Sequence, residues 1–170
     1  PHTAYAAAKF AVKGFTEALI TDLEVNAPHI KCSLVMPGHI GTSIALNTSK
    51  VLGKNEAMDL TPEEVDEVRQ QLLSRGMPVG NVPDDHIRQM IKQRGEDFRD
   101  KAPTTAASAS SIILDGVREQ RWRILVGEDA HVLDRIVREA PEEAYGDKMM
   151  AKLNSAGHFG VFQPAADKAE

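Results

Sequence analysis

Apolar positions recur at helical spacing near the start of the chain. Phe15, Leu19 and Leu23 follow one another every fourth residue, and Ala6, Ala7, Ala8, Ala11 and Ala18 are strong helix formers. The pattern predicts a helix from Tyr5 to Val25, ended by the Pro28 region. Ile30 to Met36 is then a short, nearly continuous apolar run containing Ile30, Leu34 and Val35, closed by Pro37-Gly38. A run of that length between breakers reads as a buried strand of a parallel sheet.

From Thr42 to Pro103 the chain turns polar and is broken by Gly53, Gly76, Pro78, Gly80, Pro83 and Gly95. One helix inside it is well signalled. Thr61 is an N-cap, Pro62 fills the first helical position and Glu64 completes a capping box before Val65, Val68, Leu72 and Leu73. A second helix is predicted from Asp84 to Phe98, with Ile87, Met90 and Ile91 on one face. A segment this long between core elements is either a lid over a binding site or a surface excursion, and the lid is the favoured reading.

Regular structure resumes after Pro103. Thr104 or Thr105 caps a helix through Glu119, Arg123 to Val126 is a second short strand closed by Gly127, and a helix runs from Asp129 to Arg138. Beyond Tyr145 the tail is rich in Ala, Gly, Lys and Asp and is expected to pack loosely or fray. Helices alternating with short buried strands predict an α/β architecture. Four stretches result: 1–42 with the first helix, strand and turn, 43–103 as a helical insertion, 104–140 as a helix-strand-helix unit, and 141–170 as a tail.

Composition adds mainly exclusions. A net charge of −5 with no basic stripe gives no reason to expect nucleic acid or an anionic membrane as a partner. No apolar stretch approaches the roughly 20 residues that span a bilayer. The single cysteine, Cys32, lies in an apolar run and is expected to be a buried, inert thiol. The chain opens at Pro1 without an initiator Met, which implies sequence lost upstream, and cytoplasm is the default location.

Tyr5 and Lys9 form a Tyr-x-x-x-Lys spacing within the first predicted helix. Residues four apart share a face, roughly 5–6 Å between Cβ atoms. An ammonium near a phenol favours the phenolate, the direction a general acid/base needs at neutral pH. Alone, the spacing equally describes an interfacial aromatic with a solvated lysine. The histidines at 2, 29, 39, 86, 131 and 158 lack metal-ligand spacing, so no metal site is assigned. His39 could face a substrate but a lone histidine there is more often incidental. Ser108, Ser110 and Ser111 lack a nucleophile elbow. Met58, Met77 and Met90 line an apolar substrate pocket or simply pack the insertion down, and Glu63, Glu64 and Glu67 read as a solvated helix face.

Context decides between these readings. Pro1-His2-Thr3-Ala4-Tyr5-Ala6-Ala7-Ala8-Lys9-Phe10-Ala11-Val12 resembles the active-site helix of classical short-chain dehydrogenases/reductases. Ile30 to Met36 followed by Pro37-Gly38-His39-Ile40-Gly41-Thr42 is similar to the strand and Pro-Gly turn of the same family, at the separation typical for it. The resemblance covers residues 1 to about 140, with the insertion matched only by position. It implies the C-terminal portion of a Rossmann-like doubly wound parallel sheet carrying a helical substrate-loop insertion. It further implies an NAD(P)-dependent oxidoreductase that interconverts an alcohol and a carbonyl compound by hydride transfer. Tyr5 is then the general acid/base, and Lys9 bonds the nicotinamide ribose and favours ionised Tyr5. Pro37 and Gly38 form the turn beside the nicotinamide, Gly38 allowing close approach of a ligand. Ile40 meets the carboxamide through its backbone, and Thr42 lies near the amide or phosphates. A homodimer or homotetramer is the family's usual state.

The family's glycine-rich nucleotide loop, its catalytic serine and the residue separating NAD from NADP find no counterpart among these residues. The segment alone is therefore expected to be poorly stable and inactive, the activity belonging to a longer parent. Two other readings stay open: an epimerase or dehydratase of the extended branch of the superfamily, and a non-catalytic nucleotide-sensing or scaffold protein.

Overall fold

A computed structural model of the chain describes residues 3–144, 148, 149 and 151. The elements run α1 (Thr3–Asn26), β1 (Leu34–Pro37), β2 (Ile40–Gly41), α2 (Ile44–Val51), α3 (Pro62–Ser74), α4 (Asp84–Asp100), β3 (Thr104–Thr105), α5 (Ala106–Arg118), β4 (Arg123–Val126) and α6 (Glu128–Glu139). Short 3-10 turns lie at Ala57–Asp59 and Pro141–Glu143. The tail beyond Tyr145, expected to fray, falls almost entirely outside the described residues.

The centre is a parallel ladder of β1 and β4, with Leu34 opposite Arg123 and Pro37 opposite Val126. The Leu34 N–H extends it at one end by donating to Trp122 O (2.7 Å), and the Gly38 N–H extends it at the other by donating to Val126 O (2.9 Å). Ile124 and Val126 point into a core closed by Ala109 of α5 and by Val35, Ile40, Ile112 and Ile113. α5 comes close because Gly116 has no side chain: a Cβ there would lie 2.6 Å from Ile124 Cδ1. A second parallel pair, Ile40 with Thr104 and Gly41 with Thr105, joins β2 to β3. The α/β character with parallel strands is thus present. Among the described residues the strands form these two short ladders, not the broad doubly wound sheet expected.

The first strand is shorter than the run that predicts it. Ile30 is turned back on Ala27, its N–H donating to Ala27 O (2.9 Å), and is exposed. Pairing starts only at Leu34, because β4 offers four residues as partners. Cys32, in the unpaired part, is half-buried and not fully enclosed. The first helix is also turned differently from its apolar pattern. Its partly buried stripe is Lys13, Thr16, Glu17, Leu19, Ile20 and Leu23, while Phe15 is 69% exposed. An internal Lys13–Glu17 ion pair (2.7 Å) lets charged residues occupy that inner stripe.

The insertion builds a small core of its own. Val65 of α3, Val79 and Ile87 of α4 are buried together, flanked by Leu60, Val68, Leu72, Met77, Val82 and Ile91. Arg69 fastens the loop between the helices by donating to Val79 O (3.1 Å) and Val82 O (2.5 Å) and pairing with Asp84. Arg88 donates to Leu60 O from two nitrogens (3.0 and 2.8 Å). α2, which the polar character of residues 43–60 gave no cause to expect, docks Leu46 against Gly95 of α4.

The capping box of α3 is present in full. The Glu64 N–H donates to Thr61 Oγ1 (3.3 Å), and the Thr61 N–H donates to Glu64 Oε2 (2.8 Å). Asn55 adds a bond to the same oxygen (2.9 Å). Thr61→Ala is expected to cost about 1 kcal/mol in urea denaturation. The Asn55 amide and then the Thr61 N–H hold the Glu64 carboxyl below its ordinary value of 4.5. A lowered folded value means stabilisation that is present above pH 4.5 and lost as the pH falls through the lower value. Glu64→Gln should flatten that acid limb in melting temperature against pH, and an unchanged limb would refute the assignment.

Candidate active site

α1 presents Tyr5 and Lys9 on one face in its first turns. The Lys9 ammonium lies over the Tyr5 ring, 5.4 Å from its centroid, a cation–π arrangement and not a bond to the hydroxyl. Tyr5 is 64% exposed and Lys9 is exposed, so solvent reaches both. α1 packs along β1, and both residues precede the partly buried stripe that begins at Lys13.

The other predicted site residues lie in one turn, at the carboxyl ends of β1 and β4. Pro37 closes β1 and is exposed; Gly38 through Thr42 are half-buried, with Ile40 and Gly41 in β2. The turn is held from two sides. Asp129, in the first turn of α6 and 1% exposed, accepts the His39 N–H on Oδ2 at 2.5 Å. On the other side the His39 ring bonds Phe98 O through Nε2 (2.7 Å) and lies 4.3 Å, centroid to centroid, from the Phe98 ring. Acceptance by a carbonyl requires the proton on Nε2. His39 is therefore a tie between the turn and the end of α4, not an incidental side chain.

Asp129 gives Gly38 a packing role within the fold. On the side where a Cβ would stand, the Asp129 carboxylate packs against the glycine, and a Cβ would overlap that group. Gly127, with φ +98°, leads the chain into α6 in the left-handed region and places Asp129 there; a Cβ on it would lie 2.6 Å from Asp129 Oδ1 and 2.7 Å from Thr104 Oγ1.

The contact of Asp129 with the turn is not legible in the sequence. The one available signal is an acidic residue in the first turn after a glycine, which explains helix stabilisation but not a bond to a residue 90 positions earlier.

Two concavities lie apart from the turn. One of about 230 Å³, lined by Ile20, Leu23, Ile30, Cys32 and Trp122 among others, lies near the amino ends of β1 and β4, away from the turn. A second, of about 450 Å³, lies within the insertion between apolar Leu72, Met77, Met90 and Ile91 and the cations Arg75 and Arg94. Met77 and Met90 line this cleft and Met77 also packs on the core of the insertion, while Met58 is 47% exposed and does not line the cleft. Among the described residues no group of three or more His, Cys, Asp or Glu side chains could hold a metal ion, and no helix is long and apolar enough to cross a membrane.

Gly38→Ala should be poorly tolerated, because the new methyl must displace a buried carboxylate. A loss of at least about 2 kcal/mol is expected in chemical denaturation. Asp129→Ala in the same chain should recover part of it, and strict additivity of the two changes would contradict the packing described.

The chain is similar to proteins named as oxidoreductases. It is 44% identical over 138 residues to the oxidoreductase SadH of two strains of Mycobacterium tuberculosis, a match covering 80% of this chain and 37% of that protein. It is 48% identical over 54 residues to a 3-ketodihydrosphingosine reductase of Bacteroides thetaiotaomicron, covering 31% of this chain and 19% of that one. The chain thus spans little more than a third of the length of the SadH proteins. No family model and no solved structure matches it.

Proposed function

We propose that this chain carries the acid/base pair and part of the cofactor site of a nicotinamide-dependent short-chain dehydrogenase/reductase. The observation that carries the reading is the Tyr5–Lys9 pair on one exposed face of α1, the ammonium over the ring, in a chain whose next strand ends in the Pro37-Gly38 turn. The oxidoreductase names of the relatives support it.

The residues fit a nicotinamide nucleotide, NAD or NADP. The turn lies at the carboxyl ends of parallel strands, where open α/β sheets bind ligands, and Asp129 and Phe98 fix it. Pro37, Gly38, the Ile40 backbone and Thr42 would hold the nicotinamide end, with Lys9 on its ribose. When bound, the nucleotide supplies or accepts the hydride at the carbonyl carbon. Tyr5 gives a proton to the substrate oxygen in reduction and takes it back in oxidation. Lys9 stabilises negative charge as it develops on the Tyr5 oxygen. The Rossmann-like nucleotide-binding part belongs to the longer protein, and so does the activity. A homodimer or homotetramer is its proposed assembly.

For substrate we propose a bulky, largely apolar alcohol or ketone. The apolar wall of the cleft within the insertion, formed by Leu60, Val68, Leu72, Met77, Met90 and Ile91, and the ketone named for the Bacteroides relative both favour it.

The test is turnover of long-chain ketones by the longer protein with NADH and NADPH. Tyr5→Phe should lower kcat by about 10²- to 10⁴-fold, the range of general acid–base catalysis. Lys9→Met should lower kcat and raise the cofactor KM together. Tyr5→Phe turning over at half the parent rate or more would sink the reading.

A further inference from the structure

The buried carboxylate under the turn has no place in the acid/base chemistry, yet its surroundings are specific. Asp129 is 1% exposed, and its Oδ2 takes one hydrogen bond, from the His39 N–H. Its Oδ1 is buried and has no hydrogen-bond partner among the described residues. An isolated buried carboxylate is costly, so the fold must gain something by placing one here. Two glycines give up side chains to admit it, Gly38 from the turn and Gly127 from the entry to α6. Its position in the first turn of α6 gives it the favourable end of the helix dipole. The remaining anchor of the turn, His39 to Phe98, comes from α4, within the insertion.

We infer that Asp129 is a positioning residue for the cofactor turn: its carboxylate fixes the backbone at Gly38-His39 through the His39 N–H, independently of the insertion. This rests on the function proposed above, in which that turn meets the nicotinamide. The division of labour follows from where the two anchors originate. The tie to Phe98 comes from α4 in the insertion. Asp129 ties the turn to the β1–β4 ladder through α6, which follows β4 directly. Charge assistance makes this bond stronger than one from a neutral acceptor, and the low dielectric of the site enhances it.

The experiment compares the longer protein with its Asp129→Ala, Asp129→Ser and Asp129→Asn variants. Asn keeps an oxygen within reach of the His39 N–H; Ala and Ser do not. Ala and Ser are expected to raise the nicotinamide KM tenfold or more with kcat changed less than threefold. In hydrogen–deuterium exchange followed by mass spectrometry, the peptide containing His39 should exchange at least tenfold faster in both, with β4 protected as before. Asn should stay within about threefold of the parent on both measures. Should Ala not fold, Ser gives the same reading.

A lowered melting temperature with unchanged cofactor KM would overturn the inference and leave Asp129 a structural residue only. So would unchanged exchange at the His39 peptide. If the parent protein neither binds nor turns over nicotinamide nucleotides, the function proposed above fails, and the positioning role fails with it. Exchange at His39 then still reports whether the carboxylate holds the turn.

Discussion

The candidate cofactor turn depends on the parallel pairing of β1 with β4. Each strand is four residues long, and neither could persist alone in water. Pairing them buries Ile124 and Val126 against α5 and aligns the two strand ends, Pro37 and Val126. From those adjacent ends the Pro37-Gly38 turn and the Gly127 entry to α6 leave side by side. That proximity is what lets a carboxylate on α6 reach the backbone at His39.

The insertion depends on different physics. Its core of Val65, Val79 and Ile87 is separate from that of the ladder, and its loops are tied by the guanidinium groups of Arg69 and Arg88 bonded to backbone carbonyls. Short sequence separations close it, so a capping box and a helix hairpin suffice to specify it. It meets the site at only a few places: the Phe98 carbonyl and ring on His39, and Gly41 of β2, whose missing side chain admits Arg99 O at the end of α4. A unit with its own core and so slender a link to the turn can change the lining of its cleft without disturbing the ladder.

The exposed face of α1 stands in contrast. Tyr5, Phe10, Val12 and Phe15 are all more than half exposed, and no residue of the helix is buried. The acid/base pair proposed for catalysis thus sits on a surface open to water, whereas the turn proposed for the cofactor is rigidly supported. The two halves of the candidate site are in different states of completion within this chain.

Local patterns in the sequence determined the helices well, because capping and periodicity act over a few residues. Thr61, Pro62 and Glu64 specify the start of α3, and Thr105 caps α5 by accepting the Ser108 N–H. Arg123 to Val126 is legible as a strand by its apolar run between Trp122 and Gly127. The Tyr5-x-x-x-Lys9 spacing and the Pro37-Gly38 turn are likewise local. What sequence could not decide is which residues meet across long separations. The apolar run from Ile30 gave no sign that pairing would begin only at Leu34, since the limit is set by the length of β4. The stripe through Phe15 did not reveal that α1 would turn inward on Lys13 and Glu17. Nothing near Asp129 announced a partner in the 37–39 turn, and nothing near Gly38 announced a carboxylate packed where its Cβ would be. Only the tertiary structure decides such contacts, because they are made when two strand ends, far apart in the chain, are brought into register.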